Sequence, residues 1–178
     1  MNREKTGLII IDAQEKLMSV IGHKEEVTDN IIKLLHLARV YQLPLLITEQ
    51  YPQMIGSTLD ERKQHIPNFD PVEKLEFDFC EVKPFMNRLE SLQLHNLIVT
   101  GVEAHVCVLQ SCLSLVKKGY HVYVPRDGVD SRSSHNKQTG LELMKDEGVT
   151  ITSTETIIFQ MLRKAGTPEF KEMLKIIK

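Results

Sequence analysis

The sequence has no long apolar run. Near its start only Thr6-Gly-Leu-Ile-Ile-Ile11 stands between the charges of Lys5 and Asp12. That is too short for the core of a secretory signal and far short of the roughly 20 residues of a membrane helix, so a cytoplasmic chain without membrane attachment is expected. Charge of one sign is lacking too: 22 Lys and Arg against 24 Asp and Glu give a formal net charge of -2. Such a balanced surface gathers no phosphates, which argues against a nucleic-acid partner. Cysteine is scarce and odd in number, with Cys80, Cys107 and Cys112 making three. On a helix, Cys107 and Cys112 would point about 140° apart, which excludes a bond between them and fits a reducing compartment. No CxxC or HxxxH spacing offers a zinc site. No linker, repeat or low-complexity tract divides the 178 residues, so 1–178 read as a single domain.

What is present alternates. Leu8-Ile-Ile-Ile-Asp12, Pro44-Leu-Leu-Ile-Thr-Glu49, Asn96-Leu-Ile-Val-Thr-Gly101 and Tyr120-His-Val-Tyr-Val-Pro125 are short apolar runs of the kind that form parallel strands covered on both faces. Between them Val27, Ile31, Leu34, Leu35 and Ala38, and again Val108, Cys112, Leu115 and Val116, recur at helical spacing. The pattern predicts a three-layer α/β/α Rossmann-like fold with an open, mostly parallel sheet of about six strands. Ligands in such sheets bind beyond the carboxyl ends of the strands. Attention therefore falls on Asp12 and Gln14, on Glu49 and Tyr51, on Gly101 to Cys107, and on Asp127 with Ser131 and Arg132. Residues 50–75, with Pro52, Pro67 and Pro71, read as a long loop over that rim.

In Val99-Thr-Gly-Val-Glu-Ala-His-Val-Cys107 a cysteine enters the first turn of a helix behind a glycine turn. Unpaired backbone N–H groups and the helix dipole would lower its pKa there; a small buried apolar residue is the alternative. Asp12, closing a central strand, suits a general base toward that thiol, or else a turn acceptor. Composition alone makes Lys74 a solvated loop lysine.

The segments LIIIDAQEKL, TEQYPQMIGSTL, VEKLEFDFC, VTGVEAHVCVLQSCLSLVKKGYHVYVPRDGVDSRS and ITSTETIIFQML resemble the isochorismatase-like cysteine hydrolase family over nearly the whole chain. They are most like its branch of isochorismatase domain-containing proteins of unassigned substrate. The resemblance implies a catalytic Asp12, Lys74 and Cys107, and a cis peptide at Val102-Glu103 that turns backbone N–H groups of Glu103 and Cys107 into an oxyanion hole. It further implies hydrolysis of an amide, carbamoyl or related C–N bond of a small molecule through a thioester. Gln14, Tyr51, Phe77, Glu103 and His105 are expected to touch substrate. Nicotinamidases of the family hold a metal through a TxDxHP segment; here Thr48-Glu-Gln-Tyr-Pro52 keeps only Glu49 as a cation ligand, and Tyr51 replaces histidine. No metal and no cofactor are expected. Cys107 argues against the vinyl ether hydrolysis of members that lack the cysteine.

Asp127, Ser131 and Arg132 read as a polar turn. A homo-oligomer is expected, because the 50–70 loop, Phe159-Gln-Met-Leu162, Phe170, Met173, Leu174, Ile176 and Ile177 carry many apolar residues for one small domain. Two other classes compete: a catalytically idle interaction module, and a thiol redox sensor built on Cys107.

Overall fold

The computed structural model describes residues 2–58, 63–66 and 69–177. Its strands are β1 (Thr6–Ile11), β2 (Leu45–Gln50), β3 (Val72–Lys74), β4 (Asn96–Val102), β5 (His121–Pro125), β6 (Val129–Asp130) and β7 (Thr150–Thr152). The helices are α1 (Glu15–Met18), α2 (Lys24–Tyr41), α3 (Pro52–Ile55), α4 (Lys83–Ser91), α5 (Leu109–Lys117), α6 (Ser134–Asp146), α7 (Thr154–Leu162) and α8 (Pro168–Ile177), with a π turn at Ala104–Val108 ahead of α5. The sheet runs β3-β2-β1-β4-β5-β7, and β6 pairs with β4 beyond the end of β5. Every pairing between these strands is parallel. This is the open, mostly parallel α/β sheet that the alternation predicts.

The continuous apolar run of β1 has a simple cause. Successive side chains leave a strand on opposite faces. Ile9 and Ile11 enter one core with Leu97, Val99, Phe85, Leu89 and Leu115, while Leu8 and Ile10 enter the other with Ile98, Ile31, Leu34 and Ile158. Both faces of the central strands are covered, so their middles are apolar, and buried polar side chains such as Thr48, Gln50 and Thr100 come toward the carboxyl ends, where hydrogen-bond partners meet them.

The expected sheet of about six strands is met by the six-strand path, with the two-residue β6 as a seventh among the described residues. Two other expectations are corrected. Residues 50–75 are not one loop: α3 and β3 interrupt it, and 59–62 and 67–68 lie outside the described residues. The C-terminal apolar residues do not form a free face. Met161, Leu162 and Met173 are buried, and Phe170 and Ile177 pack on the same core, leaving Phe159 exposed.

Gly101 explains how the strand ends come together. It stands opposite Ile11 in the β1–β4 register, with φ of 132°, and a Cβ there would lie 2.1 Å from the Ile11 carbonyl oxygen. Only glycine permits that approach.

Candidate active site

β1 ends at Ile11 and Asp12 turns out of the sheet with φ of 50°. Its side chain is sealed from solvent. One carboxylate oxygen accepts from Thr48 Oγ1 at 2.7 Å, and the other accepts from Lys74 Nζ at 2.7 Å. Lys74 reaches it because β3 adds to the sheet with Lys74 opposite Gln50. The expected solvated loop lysine is thus an edge-strand residue, and both side chains of the ion pair are 0% exposed. A buried pair of this kind is tolerated only when the remaining hydrogen-bonding positions are filled. Lys74 fills them with Gln50 Oε1 at 2.6 Å and the Glu76 carbonyl at 3.2 Å.

Cys107 arrives from the next strand. After Gly101 the chain leaves β4 through Glu103, whose φ is 57°, and enters the π turn. There the Glu103 carbonyl accepts from both Val106 N–H and Val108 N–H. The Cys107 sulfur lies 3.9 Å from Gln50 Oε1, the oxygen that also accepts from Lys74 Nζ, and Asp12 and Lys74 are near enough to act on the thiol in opposite senses. The structure therefore brings Asp12, Lys74 and Cys107 into one buried cluster.

Two details of the expected site change. The Val102–Glu103 peptide is trans; the positive φ of Glu103, following the glycine at 101, makes the turn for which a cis bond was expected. The Cys107 thiol is not depressed toward neutrality. Burial pushes it up to about 12, helped by the Asp12 carboxylate, while Lys74 pulls the other way. A residue only 4% exposed loses more to desolvation than a single turn of backbone dipoles returns. Cys80 and Cys112 are pushed higher still, chiefly by burial.

The remaining expected contacts divide. Gln14 is fully buried and braces the strand ends: its Nε2 donates to the carbonyls of Gln50 and Gly56, and its Oε1 accepts from Gln50 N–H at 2.7 Å. Tyr51 and Phe77 are exposed, beside Met54 and Leu75, where the chain leaves β2 and β3. Glu103 and His105 sit together toward β6. The Glu103 carboxylate lies 3.2 Å from His105 Nδ1 and 3.8 Å from Arg132 Nε. The same imidazole meets Ser131 Oγ at 3.0 Å and Asn136 Nδ2 at 3.3 Å. Asp127 accepts from Thr154 N–H and Oγ1, as a turn residue would. Glu49 faces away from the cluster and accepts from Thr58 N–H at 2.6 Å. No group of three His, Cys, Asp or Glu side chains arranged to hold a metal occurs among the described residues.

Thr48 and Gln50 escaped the sequence reading. Their signal is in the strand itself: residues 48 and 50 share a face by the two-residue period, and that face looks toward Asp12.

The isochorismatase domain profile matches residues 6–156. The chain belongs to the isochorismatase family. A secreted isochorismatase effector of Phytophthora sojae is 33% identical over 175 residues, covering 96% of this chain and 83% of its own. Isochorismatase domain-containing protein 2 of Rattus norvegicus is 32% identical over 177 residues, covering 98% and 82%. Among solved structures, one described as a MAR1 ribonuclease from Caenorhabditis elegans superposes with a TM-score of 0.93 at 32% identity, covering 99% of this chain and 91% of that one. Family membership and fold thus agree over almost the whole sequence.

Proposed function

We propose that this isochorismatase-family protein is a cysteine hydrolase, independent of metal, that cleaves an amide, carbamoyl or related C–N bond of a small molecule. The observation that carries the reading is the sealed Lys74–Asp12 pair, 2.7 Å from nitrogen to oxygen, with the Cys107 thiol beside it, 3.9 Å from the Gln50 oxygen that Lys74 also holds and under the opposing influence of both charges. Asp12 takes the thiol proton, and Lys74 holds the thiolate. The sulfur adds to the carbonyl carbon, and backbone N–H groups of Glu103 and Cys107 receive the developing oxyanion. Collapse forms the thioester, with Asp12 returning its proton to the leaving nitrogen. Water then attacks the thioester and releases the acid.

A thiol with a pKa of about 12 does not argue against this order. It means that the resting thiol is neutral and ionises as Asp12 accepts its proton during reaction. Glu49 and Gln50 support metal independence, since the carboxylate is held by Thr58 N–H and the neutral amide faces Lys74. Glu103 and His105 are assigned to the wall of the site on the β6 side, with Tyr51 and Phe77 on its outer rim. Tyr51, Met54, Leu75 and Phe77 make that rim apolar and exposed, which supports a homo-oligomer in which a second copy covers it. Three free cysteines support a reducing compartment, the cytoplasm. No helix among the described residues is long and apolar enough to cross a membrane.

The test is ammonia release from a panel of small amides, carbamates, ureas and imides, run beside Cys107→Ala. Hydrolysis of one class by the wild type and none by the variant is the expected result. The name of the Caenorhabditis elegans relative makes RNA a necessary arm of the panel; the balanced charge of this chain predicts no cleavage of it. RNA cleavage that survives Cys107→Ala would overturn the proposal.

A further inference from the structure

Gln50 stands inside the buried cluster without belonging to the Asp12, Lys74 and Cys107 set. Its carboxamide has a fixed orientation. Nε2 donates to the Leu75 carbonyl at 2.8 Å, so Oε1 faces Lys74 Nζ at 2.6 Å. Its backbone is fixed as well, with the N–H and carbonyl both held by the Gln14 side chain.

An ammonium has three hydrogens. Those of Lys74 are placed on Asp12 Oδ2, Gln50 Oε1 and the Glu76 carbonyl. None is left over. The Cys107 sulfur lies 3.9 Å from the same Gln50 oxygen, a position that suits a thiol donating its hydrogen but not a thiolate, which has none to donate and would face a partial negative charge. The other charged groups near the thiol are Asp12 and Lys74. Glu49 is turned to Thr58, Glu76 to Leu75 N–H, and Glu103 to His105.

We infer that Gln50 is a positioning residue that acts through Lys74: its carbonyl oxygen competes with the Cys107 sulfur for an ammonium hydrogen and so keeps the resting nucleophile in its thiol form. The inference rests on the proposed roles of Asp12, Lys74 and Cys107 and adds a fourth side chain to them. Ionisation of Cys107 then requires Lys74 to exchange one acceptor for another. An incoming N–H or O–H group that donates to the Gln50 oxygen in place of Lys74 would free that hydrogen for the sulfur.

Because alkylation follows the thiolate, the rate at which iodoacetamide labels Cys107 reads the competition without any substrate. The rate is followed by mass spectrometry at pH 8 in the intact protein. Gln50→Leu, which cannot accept, should label about tenfold faster, equivalent to one pKa unit. Gln50→Glu, which holds the ammonium more firmly and repels the sulfur anion, should label about tenfold slower. Opposite signs from two substitutions at one position are not what a purely structural role produces.

Combining Gln50→Leu with Lys74→Met separates chemistry from access, since the gain should vanish once the ammonium is gone. An equal gain in both backgrounds, or a Gln50→Glu protein that labels faster than wild type, would overturn the inference. Asp12→Asn and Lys74→Met alone test the underlying reading, the first speeding labelling and the second slowing it. If those two shift the rate and the Gln50 variants do not, only the role of Gln50 fails. If neither of those two shifts it, the three-residue site fails with it.

Discussion

Cys107 and Cys112 are five residues apart, buried, and of one residue type, yet their surroundings have almost nothing in common. Cys112 shares an apolar core with Phe79, Phe85, Leu115 and Val122, and after burial only Cys80 and the Asp78 carboxylate act on it, both raising it. Cys107 is turned toward the strand ends, where Asp12 and Lys74 act on it in opposite senses. Burial raises both thiols. Only at Cys107 does an ammonium pull the thiol the other way. A buried cysteine is therefore not inert because it is buried; what separates the two is whether the low-dielectric surroundings contain a positive charge.

The largest effect should come from removing each sulfur in turn. On the substrate that the panel identifies, Cys107→Ala should lower kcat by about a thousandfold or more, while Cys112→Ala changes it by less than about twofold. Comparable losses in steady-state kinetics would erase the distinction between the two cysteines.

Lys74→Met attacks the charged surroundings instead. It leaves the Asp12 carboxylate buried without its counter-ion and should cost about 3–5 kcal/mol, read from the midpoint of urea unfolding. The additional variant Asp12→Asn should recover part of that loss. Gly101→Ala strikes the backbone that brings the two strand ends together. A Cβ 2.1 Å from a carbonyl oxygen, at a φ that disfavours side chains, should cost about 3 kcal/mol and slow turnover, whereas Gly119→Ala, with open space around it, should lose only the penalty of its positive φ.

The smallest effect is the sharpest test of burial. A thiol whose folded pKa is raised stays protonated in the native state while the unfolded chain ionises, so its contribution to stability is complete below about pH 9 and declines as pH rises toward the folded value, about 12 for Cys107. Each such thiol adds at most about 1.4 kcal/mol per pH unit to the downward slope of unfolding free energy. Cys107→Ala and Cys112→Ala should each flatten the alkaline limb, and a limb unchanged by either would mean that the thiols titrate as exposed groups.

Much of this was readable before any coordinates. The four long strands follow from unbroken apolar runs, because a central parallel strand has no face to offer water, and the helices follow from Val27 to Ala38 and Val108 to Val116. Asp12 and Cys107 were visible as polar residues where those runs stop. Lys74 needed the family resemblance: its strand is three residues long, which carries no period, and its pairing with Gln50 is a long-range contact. Gln50 was missed although its position on the strand face marked it. The cis bond was carried over from the family resemblance and the lowered thiol pKa was inferred from local sequence, whereas a positive φ at Glu103 and nearly complete desolvation of Cys107 depend on how the whole site closes.

Gln14 leaves a consequence that a hydrogen-exchange experiment can read. β1 ends before β2 does, and past Asp12 the rung that would have paired with Gln50 is supplied by the Gln14 side chain, which gives and receives as a peptide group would. The Gln50 amide proton is thus protected by a rotamer and not by a neighbouring strand. Its exchange should track local side-chain opening rather than global unfolding, and Gln14→Leu should release that single proton while the amides of Ile9 and Ile10 keep their protection. Since Gln14 also holds the Gly56 carbonyl, the same event unlatches the segment after α3, so that one carboxamide sets the pace at which this corner of the sheet breathes.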